Sequence, residues 1–221
     1  MSCLFLTEQD VADLIDMPRS IEIIEEAFRQ MAAGRVNNVP RTRAKGPGII
    51  LHSMSAAADY LGLIGWKNYT TTRKGMLFHV AAYDVASGEM QILIEANLLG
   101  QLRTGAATGV ATRYMSRKSS STVGLLGTGL QARTQVTAVC SVRKIDRVEV
   151  FGRDEERRRR FAEEMCKECQ TDVVPVSSSQ QAVSVKDIVI VATSSKTPVF
   201  DGTDLAEGTH VNAIGGNFLQ K

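Results

Sequence analysis

Apolar residues in the second half of the chain come in short, nearly unbroken runs, while those of the first half alternate with polar residues or recur at helical spacing. The runs Thr122–Leu126, Arg147–Phe151, Asp172–Val176, Asp187–Ala192 and His210–Ile214 predict strands covered on both faces, as a parallel sheet requires. Leu130–Cys140, Asp154–Cys169 and a short stretch after Ser178 predict helices between them, which makes this half α/β. In the first half, Thr7 through Asp10 reads as a capped helix start. Pro18 opens a second helix, with Ile21, Ile24, Phe28 and Met31 on one face and its end at Gly34. Strands are predicted at Gly48–Met54, Leu61–Tyr69, Leu77–Asp84 and Met90–Glu95, the last two joined through Ser87-Gly88, so this half is α+β with an antiparallel sheet. A helix of small residues, Leu98–Gly109, follows. The polar stretch Ser116–Ser121 divides the chain into residues 1–116 and 117–221.

A length of 221 residues suffices for one large or two small domains, each with a core. Net charge is +2 and the charges are interspersed, which argues against a nucleic-acid partner. No apolar run approaches the ~20 residues of a membrane span. Glu8 and Asp10 arrive before any signal-peptide core, so a cytoplasmic protein is expected. Cys3, Cys140, Cys166 and Cys169 are too scattered for a disulfide framework. Cys166-Lys-Glu-Cys169 lacks a second ligand pair and closes a helix instead of opening one, so it reads as reduced thiols, and no metal site is expected. His52, His79 and His210 fall in strand-like segments without a second ligand. The charge run Asp154–Arg160 pairs Glu155 with Arg159 and Glu156 with Arg160 on a solvated helix face.

Chemistry enters at Gly127-x-Gly129-x-x-Ala132, between an apolar strand and a helix. Gly127 permits a tight turn, Gly129 lets backbone amides approach a pyrophosphate, and Ala132 is small enough for the helix to pack on the strand and aim its N-terminus at the anion. A dinucleotide is therefore expected. The end of the second strand, where a carboxylate would bind the ribose hydroxyls of NAD, holds Gly152 and then Arg153. A guanidinium there suits the 2′-phosphate of NADP. Asp154 keeps NAD open, since a strand ending two residues later would put that carboxylate at the ribose.

Three cations of the first half stand in apolar or small-residue surroundings. Leu61 through Lys67 alternates between two faces that both read as buried, so Lys67 calls for an anionic partner. Arg103 sits in the small-residue helix, where either a ligand carboxylate or an internal salt bridge would satisfy it. Arg41 follows Pro40 on a loop, and Arg43 two residues later could take its place.

Leu63-x-Gly65-x-Lys67, Leu102-Arg103-Thr104-Gly105-Ala106-Ala107-Thr108, Val123-Gly-Leu-Leu-Gly127-Thr-Gly129-x-Gln131-Ala132 and Gly208-Thr-His-Val-Asn-Ala-Ile-Gly215 occur in series. Together they resemble the ornithine cyclodeaminase and mu-crystallin family over nearly the whole chain. The resemblance implies a substrate-binding and dimerisation domain, a Rossmann domain, and hydride transfer in the cleft between them, at the α-carbon of an amino or imino acid. It makes Arg41, Lys67 and Arg103 the holders of the substrate carboxylate, with Lys67 and Asn217 as catalytic residues. It gives Thr128, Gly129, Leu130 and Gln131 to the phosphates, Thr104, Gly127 and Ala132 to the cofactor more generally, Gly152 and Arg153 to the ribose, and Ala192, Thr193 and Ser194 to the loop beneath the adenine or ribose. Two departures matter. The family's cyclodeaminases carry an aspartate where this chain has Asn217, which argues against cyclodeamination. Family members also run on past the position of Lys221, so the C-terminal part of the fold is expected to be missing. The resulting expectation is an NADP- or NAD-dependent imine reductase or amino-acid dehydrogenase, homodimeric. The alternatives are an ornithine cyclodeaminase and a low-turnover NADPH and small-ligand binder like mu-crystallin.

Overall fold

The computed structural model describes residues 3–215. Asn217 lies outside the described residues. Internal contacts divide the chain into two compact units, Met1–Arg103 and Thr104–Lys221.

In the first unit, strand β1 (Leu4–Leu6) leads into helix α1 (Glu8–Leu14), which begins with a reciprocal capping box between Thr7 and Asp10. Helix α2 (Met17–Ala32) is capped by the Asp16 carboxylate and carries Pro18 in its first turn. Then come β2 (Val36–Asn38), β3 (Thr42–Gly46), β4 (Ile49–Ala58), β5 (Leu63–Thr72), β6 (Gly75–Asp84) and β7 (Met90–Glu95). The sheet runs β1-β7-β6-β5-β4-β2, with β3 also paired to β4.

The sheet departs from the sequence reading in three respects. It is not wholly antiparallel, because β1 lies parallel to β7 at the sheet edge. β1, β2 and β3 were not foreseen; β3 reads Thr-Arg-Ala-Lys-Gly, exposed throughout, and is a strand only because β4 supplies its hydrogen-bonding partner. The segment before Lys67 is not buried on both faces: Leu61 is 56% and Ile64 46% exposed.

Helix α3 (Asn97–Met115) follows β7, and the division between units falls inside it. Its N-terminus is held within the first unit. Glu8 accepts from the amides of Asn97 at 2.6 Å and Leu98 at 2.8 Å, and the Asn97 side chain accepts from the Phe78 amide at 3.2 Å. A carboxylate at this end satisfies orphan amides and complements the helix dipole.

In the second unit β8 (Thr122–Leu126), α4 (Leu130–Val142), β9 (Arg147–Phe151), α5 (Glu155–Cys169), β10 (Asp172–Pro175), α6 (Ser179–Val183), β11 (Ile188–Val191) and β12 (His210–Ala213) alternate. The strands form a parallel sheet in the order β10-β9-β8-β11-β12, a Rossmann-type arrangement. Val123, Leu125, Val148, Val150, Ile188 and Ile190 bury one face against Ala132, Val136 and Val139 of α4 and Phe161 and Met165 of α5. Leu126 and Val189 bury the other against Ala182 and Val183. Each large side chain buried this way contributes about 1.5–3 kcal/mol.

The C-terminal part of α3 is tied into this second unit. Arg143 donates to the carbonyls of Thr112, Arg113 and Ser116, and Asn212 donates to the Thr112 hydroxyl at 3.1 Å. The second unit begins at Thr104, ahead of the polar stretch after Ser116. Cys169 closes α5 and packs with Cys140 against the same core; all four thiols are free. No helix among the described residues is long and apolar enough to cross a membrane.

Candidate functional site

The nucleotide loop owes its shape to backbone crowding. Gly127 has φ +110°, and a Cβ there would lie 2.2 Å from the Ala192 carbonyl oxygen, so glycine is required twice over. Gly129, by contrast, has nothing within 4 Å of the Cβ it lacks. It stands at the N-cap of α4 without a side-chain cap; the Ala132 amide turns back to the Gly129 carbonyl at 3.1 Å, and the amides of Leu130 and Gln131 are left for an anion.

Here, where β8 and β11 adjoin and the strand order reverses, a cavity of about 820 Å³ opens at the carboxyl ends of the strands. Gly127, Thr128, Gly129, Gly152, Arg153, Ala192, Thr193 and Ser194 line it as the sequence proposed. Four proposed cofactor residues do not. Ala132 is fully buried in the core, and Leu130 is 68% exposed at the helix start. Gln131 keeps a buried side-chain oxygen without a partner, and Thr104 lines a separate shallow groove with His210 and Asn212. Arg157, Ser195, Thr197 and Pro198 line the cavity without having been foreseen.

Strand β9 ends at Phe151, so Gly152 does occupy the position after it. The Asp154 carboxylate caps α5 through the Arg157 amide at 2.9 Å. Arg158 donates to the Gly152 carbonyl at 2.7 Å and lies over the Phe151 ring, which fixes this turn. No ion pair engages Arg153 or Arg157 among the described residues.

The first unit assembles its polar groups on one sheet face. His52, Tyr69 and Phe78 are successive cross-strand partners on β4, β5 and β6, so their side chains share a face. The His52 and Tyr69 rings stack at 4.1 Å with 1° between planes, and Tyr69 and Phe78 at 4.6 Å. Lys67, two residues before Tyr69, projects to the same side. Its ammonium is 4.9 Å from the Phe78 ring centre and 5.8 Å from that of Tyr69, and Arg41 lies 5.5 Å from Tyr69. Gly65 permits this packing, because a Cβ there would lie 2.3 Å from the Ala81 carbonyl oxygen.

Burial first, then Arg103 and Arg41, hold Lys67 down at about 8 against an ordinary 10.5. Arg103 is exposed as a residue, contrary to its expected burial, yet protein crowds its guanidinium. Desolvation and Arg41 lower its pKa while Tyr69 opposes them. Desolvation, Arg43 and Arg41 likewise lower His52. Arg103 and Arg41 are thus felt at Lys67, and Arg41 at Arg103. Among the described residues no carboxylate is paired with any of them or with Arg43.

The chain is similar to known proteins over most of its length. The Delta(1)-pyrroline-2-carboxylate reductase of Bacillus cereus is 29% identical over 221 residues, covering 96% of this chain and 68% of its own. The alanine dehydrogenase of Archaeoglobus fulgidus is 32% identical, covering 98% and 68%. The structure of Thermococcus litoralis Delta(1)-pyrroline-2-carboxylate reductase in complex with NADH and L-proline superimposes with a TM-score of 0.91 at 33% identity, covering 96% and 68%. The sequence profile of the ornithine cyclodeaminase/mu-crystallin family matches residues 1–221, and the chain belongs to that family.

Proposed function

We propose that the protein is a nicotinamide-dinucleotide-dependent oxidoreductase acting on the C–N bond of a small amino or imino acid, as an imine reductase or amino-acid dehydrogenase. The observation that carries this reading is the set of cations on the Tyr69–Phe78 floor. Burial, with the charges of Arg103 and Arg41 added to it, depresses Lys67, and none of the three has a protein counter-ion among the described residues. A substrate carboxylate supplies the missing charge, and fixing it orients the α-carbon.

Arg41 and Arg103 bind the carboxylate. Lys67 contributes a third charge and a proton: near 8 it is an ammonium at neutral pH that gives its proton more readily than an ordinary lysine. In the reductive direction the C=N carbon gains hydride and the nitrogen a proton from Lys67. The dinucleotide supplies or accepts the hydride when bound.

The residues present fit such a group. The glycine loop and the first amides of α4 suit the pyrophosphate, and Gly152 with the unpaired Arg153 suits the 2′-phosphate of NADP. Asp154 is occupied as a helix cap, which weakens the case for NAD. Residues Ile49, Leu51 and Leu77 leave an exposed apolar patch on the sheet face opposite Lys67, and we assign it to the partner of a homodimer. Four free thiols accord with a cytoplasmic setting.

The test is spectroscopic: NADPH oxidation at 340 nm upon addition of Delta(1)-pyrroline-2-carboxylate. Steady oxidation at the rate of imine consumption supports the reading. Release of ammonia from ornithine without net change of cofactor, or binding of NADPH with no turnover of any imino acid, overturns it.

A further inference from the structure

Arg41, Lys67 and Arg103 are more than enough for one carboxylate, and a fourth cation stands at the edge of the same face. Arg43 is the direct cross-strand partner of His52, which places their Cβ atoms about 5 Å apart on the face that carries Tyr69 and Lys67. Its charge is felt at the His52 ring, and no carboxylate offsets it among the described residues. A second deficit lies at the same end. His52 is 8% exposed, and while its Nε2 meets the Thr71 hydroxyl at 3.2 Å, its buried Nδ1 has no partner. In the tautomer in which Thr71 donates to Nε2, Nδ1 carries the proton and is a donor lacking an acceptor. Unpartnered buried donors are costly, and a ligand acceptor relieves the cost.

We propose that the substrate is a dicarboxylic amino or imino acid, whose second carboxylate is bound by Arg43 at the His52 end of the cation face. This rests on reading that face as the amino-acid site. Arg41, Lys67 and Arg103 take the α-carboxylate, and Arg43 reads the side chain. Small side-chain adjustments on binding are ordinary, and one of them brings His52 Nδ1 to the second carboxylate. Arg43 thereby selects among substrates sharing the same reacting C–N bond, since a neutral side chain leaves both deficits in place.

The experiment measures calorimetric affinities of the full chain, saturated with dinucleotide, for L-glutamate, L-glutamine and L-norvaline, probes that share a backbone and differ at the side-chain end. Glutamate is expected to bind about tenfold more tightly than the other two, the level of one charge-assisted hydrogen bond to a partly solvated arginine. Arg43→Met should bring glutamate down to the affinity of norvaline, whereas Arg43→Lys should keep part of the difference. Equal binding of the three by the wild type, or a preference for glutamate that survives Arg43→Met, overturns the proposal and leaves the amino-acid site standing. Absence of binding by all three overturns both.

Discussion

In the second unit two of the charged side chains beside the nucleotide loop are already committed to the fold. Asp154 caps α5, and Arg158 holds the Gly152 carbonyl. What is left for a ligand is largely backbone, a turn at Gly127, an open surface at Gly129 and the first amides of a helix, with Arg153 and Arg157 beside them. In the first unit the backbone is consumed by a seven-stranded sheet, and what is left is charge: Arg41, Arg43, Lys67 and Arg103 without carboxylate partners among the described residues. The nucleotide cavity is thus specified by shape and preformed donors. The cation face is specified by a charge deficit that only an anion from outside removes. Damage to the first should be steric and large, and damage to the second electrostatic, graded and dependent on pH.

Gly129→Asp is the sharpest way to break the contrast. The new Cβ meets nothing within 4 Å, so the fold should persist, while the carboxylate stands where amides face a pyrophosphate. Dinucleotide affinity, followed by nicotinamide fluorescence, should fall at least about 100-fold. Unchanged affinity would remove the phosphate-loop assignment.

Next in size is Arg103→Met. It should raise KM for the carboxylate substrate by about 10- to 100-fold, since a charge-assisted hydrogen bond contributes about 2 kcal/mol, and leave dinucleotide affinity within about twofold. If thermal stability drops instead and KM holds, Arg103 is structural.

Arg153→Ala probes whether charge also matters at the nucleotide end. NADPH affinity should fall by about tenfold with NADH affinity little changed. This is cleaner than placing a carboxylate at Gly152, whose Cβ would press on Thr128 Cγ2 at 3.0 Å. A wild type that already prefers NADH would sink the NADP assignment.

The smallest effect concerns Lys67. Its pKa is lowered to about 8, so the ammonium persists below that pH and is lost above it. Carboxylate affinity should therefore be full below pH 8 and decline as pH rises through it. Arg41 is one of the cations that lower Lys67, so Arg41→Met should move the inflection towards the ordinary 10.5. An inflection that stays put would show that burial and Arg103 set it without Arg41.

Legibility followed the same division. The strands of the second unit could be read because burial on both faces leaves continuous apolar runs; β8 and β9 fall where the runs ended, and β11 and β12 are shorter by a residue or two. The glycine loop could be read because Gly127 answers a local backbone demand and Gly129 keeps the helix start open. In the first unit, β4, β5 and β6 were legible in outline, though β4 runs on to Ala58 and β5 to Thr72. β3 was not, because its five exposed residues carry no apolar alternation. Its loss hid Arg43 as a neighbour of His52, and His52 itself read as an ordinary histidine. Their proximity is a matter of cross-strand register, which no local pattern encodes.

The Glu8 cap on α3 also has a bearing on the order of synthesis. Glu8 leaves the ribosome early, yet the groups it holds, the Glu95 side chain and the amides of Asn97 and Leu98, lie 87, 89 and 90 residues downstream. β1 must likewise wait for β7 before it has anything to pair with. The first unit therefore cannot close progressively as it is made, and contacts this distant in sequence slow folding. Nascent chains halted before Asn97 should be open to protease at their N-terminus, and those extended through Met115 protected. The helix that carries Arg103 is thus anchored by the earliest part of the chain and among the last parts of its unit to be made.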